Sequence, residues 1–154
     1  MNILIFSDTH GNTADPIEII RREPQVNAII HAGDCEQDAI MIQEAYPKIS
    51  VYSVPGNCDI LSNSPTDRII ELDGKKILIT HGHTYRVKSG LSGITAKAVD
   101  GDFDLVVFGH THISTIEYYG KSIIVNPGSI KGYRKSYAKA KIENGDIKVS
   151  IEEL

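Results

Sequence analysis

Short runs of apolar, mostly β-branched residues recur along the first two thirds of the chain, bounded by turn residues such as Gly, Pro and Asp. These runs lie at residues 3–6, 28–30, 51–54, 77–79 and 105–108. They are too short for buried helices, and their composition favours buried strands. Amphipathic stretches at 15–22 and 36–46 separate the first three runs and have apolar residues at helical spacing. This alternation predicts βαβ units and a parallel sheet.

The helix boundaries and the second half of the chain are predicted from turn chemistry. Asp15-Pro16 is typical of a helix start and Tyr46-Pro47 of a helix end. Asp73-Gly74 separates two alternating runs and predicts a hairpin. A third helix is predicted at 87–99, with a beginning weakened by its serines and glycines. The remaining strands are expected at 114–119, 122–125, 137–142 and 147–151, joined as a C-terminal β-meander.

These elements predict an α/β fold in which two packed β-sheets are flanked by helices. With 154 residues and no linker or repeat, we expect a single domain over residues 1–154. The net charge of −4 provides no extended basic surface, which disfavours long nucleic acid as a partner. No apolar run approaches the roughly 20 residues of a membrane span, and the N-terminus lacks signal-peptide features. We therefore expect a cytoplasmic protein without a membrane partner, in which Cys35 and Cys58 form no disulfide framework.

Polar side chains of the metal-ligand type follow the predicted strands. Strand ends in open α/β sheets gather ligands, so side chains placed there can converge on one site. Carboxylate, imidazole and amide groups together suit borderline divalent cations, and their number exceeds what one tetrahedral ion needs. We therefore predict two metal ions, with candidate ligands Asp8, His10, Asp34, Asn57, His81, His110 and His112.

The spacing of these residues suggests how they share two ions. Asp8 and His10 are two residues apart, so an extended strand would project both to the same side. His110 and His112 repeat this spacing, and one imidazole could serve each metal. Asp34 could bridge two cations about 3.5–4 Å apart. Two divalent ions and two carboxylates leave positive charge in the site, which favours an anionic substrate such as a phosphate ester.

The order of these motifs resembles that of the calcineurin-like metallophosphoesterase family. The motifs are D-T-H at 8–10, G-D at 33–34, G-N-C-D at 56–59, H-G-H at 81–83 and G-H-T-H at 109–112. The closest likeness is to the small prokaryotic phosphodiesterase branch, over essentially the whole chain. The resemblance implies a four-layer, two-sheet sandwich and two metal sites that share Asp34. One site would comprise Asp8, His10, Asp34 and His112, and the other Asp34, Asn57, His81 and His110.

The resemblance also implies a reaction. A metal-bridging hydroxide would attack phosphorus in line, with Asp34, Asn57 and His81 acting through the metals. We expect manganese to be the preferred ion, with nickel, iron or zinc as alternatives. The chain departs from many larger family members at Cys58, where they have a histidine that can assist the leaving group. Since a general acid contributes about 10²–10⁴ in rate, we expect a small or flexible phosphodiester with a good leaving group as substrate.

Several alternatives remain at this stage. The protein could be a phosphomonoesterase, or a non-catalytic protein-interaction scaffold like the small retromer subunit. Each of these functions is compatible with a homo-oligomer. His83 could face the substrate, whereas His31 could support a ligand, be an ordinary buried histidine or bind a metal directly. Cys35 and Cys58 each follow a proposed ligand, which would allow a redox or metal-thiolate role, but they are interpreted as small buried residues. Asn12 and Asp59 could orient ligands, residues 126–129 are interpreted as a turn, and the basic residues of 131–141 as a solvated strand face.

Overall fold

Ten strands and three α-helices make up the protein in a computed structural model that describes residues 1–154. The helices are α1 (Ala14–Arg22), α2 (Glu36–Ala45) and α3 (Ser92–Asp100), and two single 3₁₀ turns cover His83–Tyr85 and Val87–Ser89. The strands are β1 (Asn2–Phe6), β2 (Ala28–His31), β3 (Ser50–Ser53), β4 (Asp67–Leu72), β5 (Lys75–Thr80), β6 (Leu105–Val107), β7 (Thr115–Tyr119), β8 (Ser122–Asn126), β9 (Ser136–Glu143) and β10 (Asp146–Glu153).

The strands form two mixed sheets of five strands each. The first sheet has the order β10-β9-β1-β2-β3, and the second has the order β4-β5-β6-β8-β7. Parallel pairs occupy the middle of each sheet, namely β1 with β2, β2 with β3, β5 with β6 and β6 with β8. Antiparallel hairpins form one edge of the first sheet (β9–β10) and both edges of the second (β4–β5 and β7–β8), whereas the other edge of the first sheet is the parallel strand β3. The predicted fold class, two sheets flanked by helices, is confirmed.

Successive side chains of the central strands point to opposite faces of each sheet and so contribute to two different apolar cores. Ile3 and Ile5 of β1 face the second sheet and lie in the core between the two sheets. Leu4 and Phe6 face the opposite way and pack with residues of α1 and α2. On the far side of the second sheet, apolar residues of β5, β6 and β8 pack against α3 in the same manner. Strand residues two apart share a face, so one apolar strand can serve two cores.

Three predicted details are wrong. The C-terminal strands do not form one meander, because the β7–β8 hairpin belongs to the second sheet and the β9–β10 hairpin to the first. Helix α3 begins at Ser92, because a 3₁₀ turn and Gly90 with a φ of 141° precede it. Helix α1 begins before Pro16, with Thr13 at its N-cap. The predicted helix end is confirmed, since α2 ends at Ala45, just before Tyr46-Pro47. No helix is long and apolar enough to cross a membrane.

Candidate metal centre

The structure brings all seven predicted ligand residues together. They come from the loops after β1, β2, β3, β5 and β6, so both sheets contribute. One group contains Asp8, His10 and His112. In it, His112 Nε2 lies 3.1 Å from Asp8 Oδ1 and 3.4 Å from His10 Nε2.

A second group lies on the other side of Asp34. His81 Nε2 is 3.4 Å from Asp34 Oδ2 and 3.1 Å from Asn57 Oδ1. The His110 ring is 5.0 Å from the His81 ring, between centroids. Asp34 Oδ2 also lies 4.0 Å from His10 Nε2 of the first group. The Asp34 carboxylate therefore stands between the two groups.

The ligand pairs converge through left-handed backbone turns and not through strand alternation. Asp8 and His10 have φ angles of 53° and 44°, and His110 and His112 have φ angles of 69° and 60°. The prediction that an extended strand aims Asp8 and His10 to one side is therefore wrong, since β1 ends at Phe6. Such φ values cost an ordinary residue about 1–3 kcal/mol, and they cluster at functional sites.

Two glycines permit the close approach of the ligand loops. A Cβ atom at Gly109 would lie 1.9 Å from Ser7 Oγ and 2.8 Å from Asp8 Oδ2. A Cβ atom at Gly56 would lie 1.9 Å from Asp34 Oδ1. Side chains at these two positions would occupy the space that the carboxylates use, so the glycines of the G-N and G-H-T-H motifs are required by packing.

The Asp8 side chain is fully buried, but only one of its two carboxylate oxygens accepts hydrogen bonds. Ser7 Oγ and the backbone N–H of His110 both donate to Asp8 Oδ2, at 2.6 Å and 3.0 Å. Oδ1 is buried and accepts no hydrogen bond. A buried carboxylate oxygen without a partner is costly, and a cation beside the neighbouring imidazoles would satisfy it.

The distances between donor atoms fit metal coordination. Two nitrogen or oxygen ligands held about 2.0–2.2 Å from one ion at tetrahedral angles are about 3.3–3.6 Å apart. The closest pairs in both groups are 3.1–3.4 Å apart. The donors are imidazole nitrogens, carboxylates and an amide oxygen, the mixture that borderline divalent ions accept. The residues present therefore fit divalent metal ions.

Hydrogen bonds and charges prepare the ligands for binding. His81 Nδ1 lies 2.7 Å from the carbonyl oxygen of Ala32, which places the ring proton on Nδ1 and leaves Nε2 free. Burial opposes the charged form of His81, but Asp34 and Asp8 outweigh it and raise its pKa, so a metal ion at Nε2 would take the place of the proton that these carboxylates attract. Burial likewise opposes ionisation of Asp34, yet His81 and the Cys58 backbone N–H hold the pKa of Asp34 well below its usual range. Asp34 is therefore a carboxylate at neutral pH.

His31 supports the site without being a ligand. It is fully buried, with Nε2 lying 3.0 Å from Thr9 Oγ1, and the backbone N–H of Gly33 donates to Nδ1 at 3.3 Å. Burial lowers the pKa of His31 to about 4, so the ring is neutral at pH 7. It links Thr9, in the loop after β1, to the loop after β2, and this favours the supporting role over an ordinary buried histidine or a direct ligand.

Residues 126–129 hold the site together, although their sequence indicated only a turn. Asn126 Nδ2 donates to the carbonyl oxygen of Gly109 and to Thr111 Oγ1, both at 2.9 Å. Ser129 Oγ donates to the carbonyl oxygen of Asp8, also at 2.9 Å. Asn126 is the buried last residue of β8, close to where the ligands follow their own strands, and that position was the available signal.

Asp59 and Lys131 also brace the ligand loops. Asp59 accepts hydrogen bonds from the backbone N–H groups of Gly56, Glu36 and Cys35, at 2.7, 2.9 and 3.3 Å. It thereby joins the loop of Asn57 to the start of α2. Lys131 lies before β9, and its Nζ donates to the carbonyl oxygen of His10 at 2.9 Å, so its assignment to a solvated strand face is wrong.

Two further side chains lie at the site. Cys58 is exposed, which overturns its interpretation as a small buried residue, and its Sγ donates to Asp34 Oδ2 at 3.4 Å. The His83 ring lies 5.5 Å from the His81 ring and 6.1 Å from the His110 ring, and its buried Nδ1 has no hydrogen-bond partner. Both therefore border the space in front of the ligands.

Two cavities flank the candidate centre. One has a volume of about 540 Å³ and extends from His112 past Ser114 to Tyr133 and Arg134. The other has a volume of about 450 Å³ and lies beside Cys58, with apolar walls that include Ile60 and Leu61. The larger cavity is mainly polar. The two cavities therefore adjoin the candidate centre at His112 and at Cys58.

Comparison with known proteins identifies the family. A model of the calcineurin-like phosphoesterase superfamily domain matches residues 1–145. This chain belongs to that superfamily. The probable metallophosphoesterase YsnB of Bacillus subtilis is 35% identical over 150 residues, which cover 94% of this chain and 86% of that protein. A phosphodiesterase of Methanocaldococcus jannaschii is 32% identical over 150 residues and 86% of each chain. The predicted family is thus confirmed.

Solved structures agree with the fold. A predicted phosphoesterase from Streptococcus pneumoniae superposes with a TM-score of 0.80 at 25% identity, over 99% of this chain and 88% of that one. Vps29 of Entamoeba histolytica, solved in complex with zinc, superposes with a TM-score of 0.76 at 19% identity over 99% of both chains. At that identity the second likeness shows the fold alone. The phosphoesterase family and the cluster of His and Asp side chains agree on metal-dependent chemistry.

Proposed function

We propose that this phosphoesterase is a phosphodiesterase that uses two divalent metal ions. The position of Asp34 supports this most directly, because its carboxylate lies 3.4 Å from His81 Nε2 and 4.0 Å from His10 Nε2, between the two ligand groups. A shared carboxylate is the usual device for holding two ions about 3.5–4 Å apart. The ions would be held by Asp8, His10, Asp34 and His112 on one side, and by Asp34, Asn57, His81 and His110 on the other.

The chemistry divides between the ions and the chain. When bound, two divalent ions neutralise phosphoryl oxygens and make water a nucleophile at neutral pH. The chain presents the imidazole of His81 in one tautomer, keeps Asp34 ionised and orients Asp8 through Ser7. Manganese is the expected ion, with nickel, iron or zinc as alternatives, because the ligand set contains both hard oxygens and borderline nitrogens.

The preference for diesters follows from the missing acid. Burial, and then the adjacent Asp34 carboxylate, raise the pKa of the Cys58 thiol, which therefore stays neutral and is a weak proton donor to a leaving group. Burial also lowers the pKa of His83, the other side chain near the site. Without an efficient general acid, substrates with good leaving groups react fastest. The cavities beside His112 and Cys58 would accommodate the two ester substituents of a small or flexible diester.

The test compares metal-loaded wild-type protein with ligand variants. Protein stripped with chelator and reloaded with manganese, nickel or zinc is assayed with bis-p-nitrophenyl phosphate and with p-nitrophenyl phosphate. We expect faster turnover of the diester, and loss of activity to background in Asp34→Ala and His112→Ala. Asp146→Ala is the matched control, because Asp146 is exposed and lies at the start of β10.

Each other result has a defined meaning. Equal turnover by wild-type protein and the two ligand variants under every metal would overturn the enzymatic proposal. Faster turnover of the monoester would assign a phosphomonoesterase instead. Tight metal binding without turnover of either ester, or of a wider ester panel, would favour a protein-interaction scaffold with this fold.

A further inference from the structure

The thiol of Cys58 lies among the groups that we assign to the metals. Its Sγ is 3.4 Å from Asp34 Oδ2, and ligand atoms of Cys58, Asp34 and His10 all lie within 4.8 Å of one another. From this arrangement we infer that Cys58 is an additional metal ligand on the His10 side of the centre. The inference rests on the metal centre of the proposed function and adds a sulfur ligand to it.

The distance between sulfur and oxygen suits a shared ion. With metal–sulfur and metal–oxygen bonds of about 2.3 and 2.0 Å, two ligands at a tetrahedral angle are about 3.5 Å apart. The present contact is a thiol hydrogen bond of 3.4 Å to the carboxylate. Replacing the thiol proton by a metal ion, with the proton passing to solvent, would need little movement of either atom.

The backbone holds the thiol in this place. The N–H of Cys58 donates to Asp34 Oδ1 at 2.9 Å, so the residue is attached to the carboxylate it would share. Asp59, the next residue, accepts from the backbone N–H groups of Gly56 and Glu36. The loop therefore cannot swing away from Asp34 without loss of several hydrogen bonds.

A separate observation indicates a cation beside the same histidines. Asp8 Oδ1 is buried without a hydrogen-bond partner and lies 3.1 Å from His112 Nε2, 3.9 Å from His81 Nε2 and 4.0 Å from His10 Nε2. A buried carboxylate oxygen without a partner is costly, and a cation among these imidazoles would satisfy it. Of these three histidines, His10 is the one that also groups with Cys58 and Asp34.

A thiolate ligand changes metal preference. Sulfur binds zinc, cobalt and cadmium well and binds manganese poorly, whereas carboxylates accept all of these ions. We therefore expect the His10 side to select a softer ion than the other side, because the Cys58 thiol forms a ligand group with His10 and Asp34 but not with His81 and His110, although its Sγ also accepts from Asn57 Nδ2 at 3.6 Å. Removing the thiol should weaken binding of zinc at least tenfold and leave binding of manganese within about twofold.

Cobalt substitution tests the ligand directly. Cobalt(II) is titrated into metal-free wild-type protein, and the near-ultraviolet absorption is recorded for the sulfur-to-cobalt charge-transfer band. We expect this band in wild-type protein and in Cys35→Ser, and its loss in Cys58→Ser and Cys58→Ala. Cys35 is the matched control, as it is the other cysteine of the chain and precedes α2 without joining a ligand group.

Thermal unfolding and manganese titration of each variant check that the fold and the remaining ligands are intact. Identical cobalt spectra in wild-type protein and folded Cys58 variants would overturn the inference, as would an unchanged affinity for zinc. Neither result affects the proposed function, which is tested separately by the turnover of diester and monoester in wild-type protein and in the Asp34 and His112 variants.

Discussion

Substitution of Gly56 by alanine tests whether the loops must touch for the site to form. The added Cβ would lie 1.9 Å from Asp34 Oδ1 and 2.4 Å from the Asp34 backbone nitrogen. Non-bonded carbon and oxygen atoms need about 3.0 Å or more, so the carboxylate must move by about 1 Å and the backbone must follow. Because Gly56 is not in the left-handed region, the effect is purely steric.

The loss of stability in Gly56→Ala can be estimated from the groups that the added methyl group displaces. Overpacking costs about 1–3 kcal/mol, and an off-rotamer carboxylate adds about 1 kcal/mol. For a chain of this size, a loss of about 3 kcal/mol lowers the melting temperature by roughly 6–12 °C. Moving Asp34 also removes the shared ligand, so we expect loss of high-affinity binding of at least one metal ion and of diester hydrolysis.

Circular dichroism melts and isothermal titration calorimetry with manganese measure both effects. Gly93→Ala is the matched control, because its Cβ would lie 3.1 Å from the nearest atom, the Tyr85 carbonyl oxygen. Gly93 is also within α3, where alanine is favoured over glycine by about 0.5–1 kcal/mol. A Gly56→Ala protein that melts within about 2 °C of wild type and still binds two ions would refute the steric argument.

Two further predictions concern the support of the site and the pH dependence of stability. Ser129→Ala should lower the free energy of unfolding by about 1–3 kcal/mol and slow diester hydrolysis, because the buried carbonyl oxygen of Asp8 loses its hydrogen-bond donor. Ser122→Ala is the control, since it removes an equally buried hydrogen bond far from the ligands and should leave the rate of hydrolysis unchanged. Hydrogen bonds from Lys135 and then from Asn12 lower the pKa of Asp15 in the folded protein below the ordinary value of 3.8. The ionised Asp15 therefore stabilises the fold above pH 3.8, and this stabilisation is lost as the pH falls through the pKa that Asp15 has in the folded state. Urea unfolding should therefore show Asp15→Asn destabilised by about 0.5–1 kcal/mol at pH 7 but not at pH 2, and an equal loss at both pH values would contradict this.

The family and the identity of the candidate ligands were predictable because both depend on local sequence. Residues such as Ile3–Phe6 and Leu105–Val107 are apolar on both faces and short, which suits central strands of parallel sheets. The side chain that follows each strand emerges at the end of the sheet wherever the strand is placed. Asp8, Asp34 and His81 could therefore be named without knowledge of the strand order.

The tertiary structure decided how these residues meet. Left-handed turns at Asp8 and His110 aim the ligands, and no periodicity predicts them, because they are stabilised by contacts between loops distant in sequence. The hydrogen bonds of Ser129 to Asp8 and of Cys58 to Asp34 were likewise unpredictable, since each joins residues at least 24 positions apart along the chain. The C-terminal hairpins were assigned to one meander because turn signals specify local pairing and not the sheet that a hairpin joins.

The sequence alone thus determined which residues are apolar, where strands end and which metal-binding side chains stand at those ends. Only the tertiary structure determined that Asp34 stands between two ligand groups, that Cys58 contacts it and that Asp8 keeps one oxygen free. The physical reason is the range of the interactions. Burial patterns and turn preferences act between neighbours in sequence, whereas the geometry of a metal centre depends on packing between loops that two different sheets hold in place.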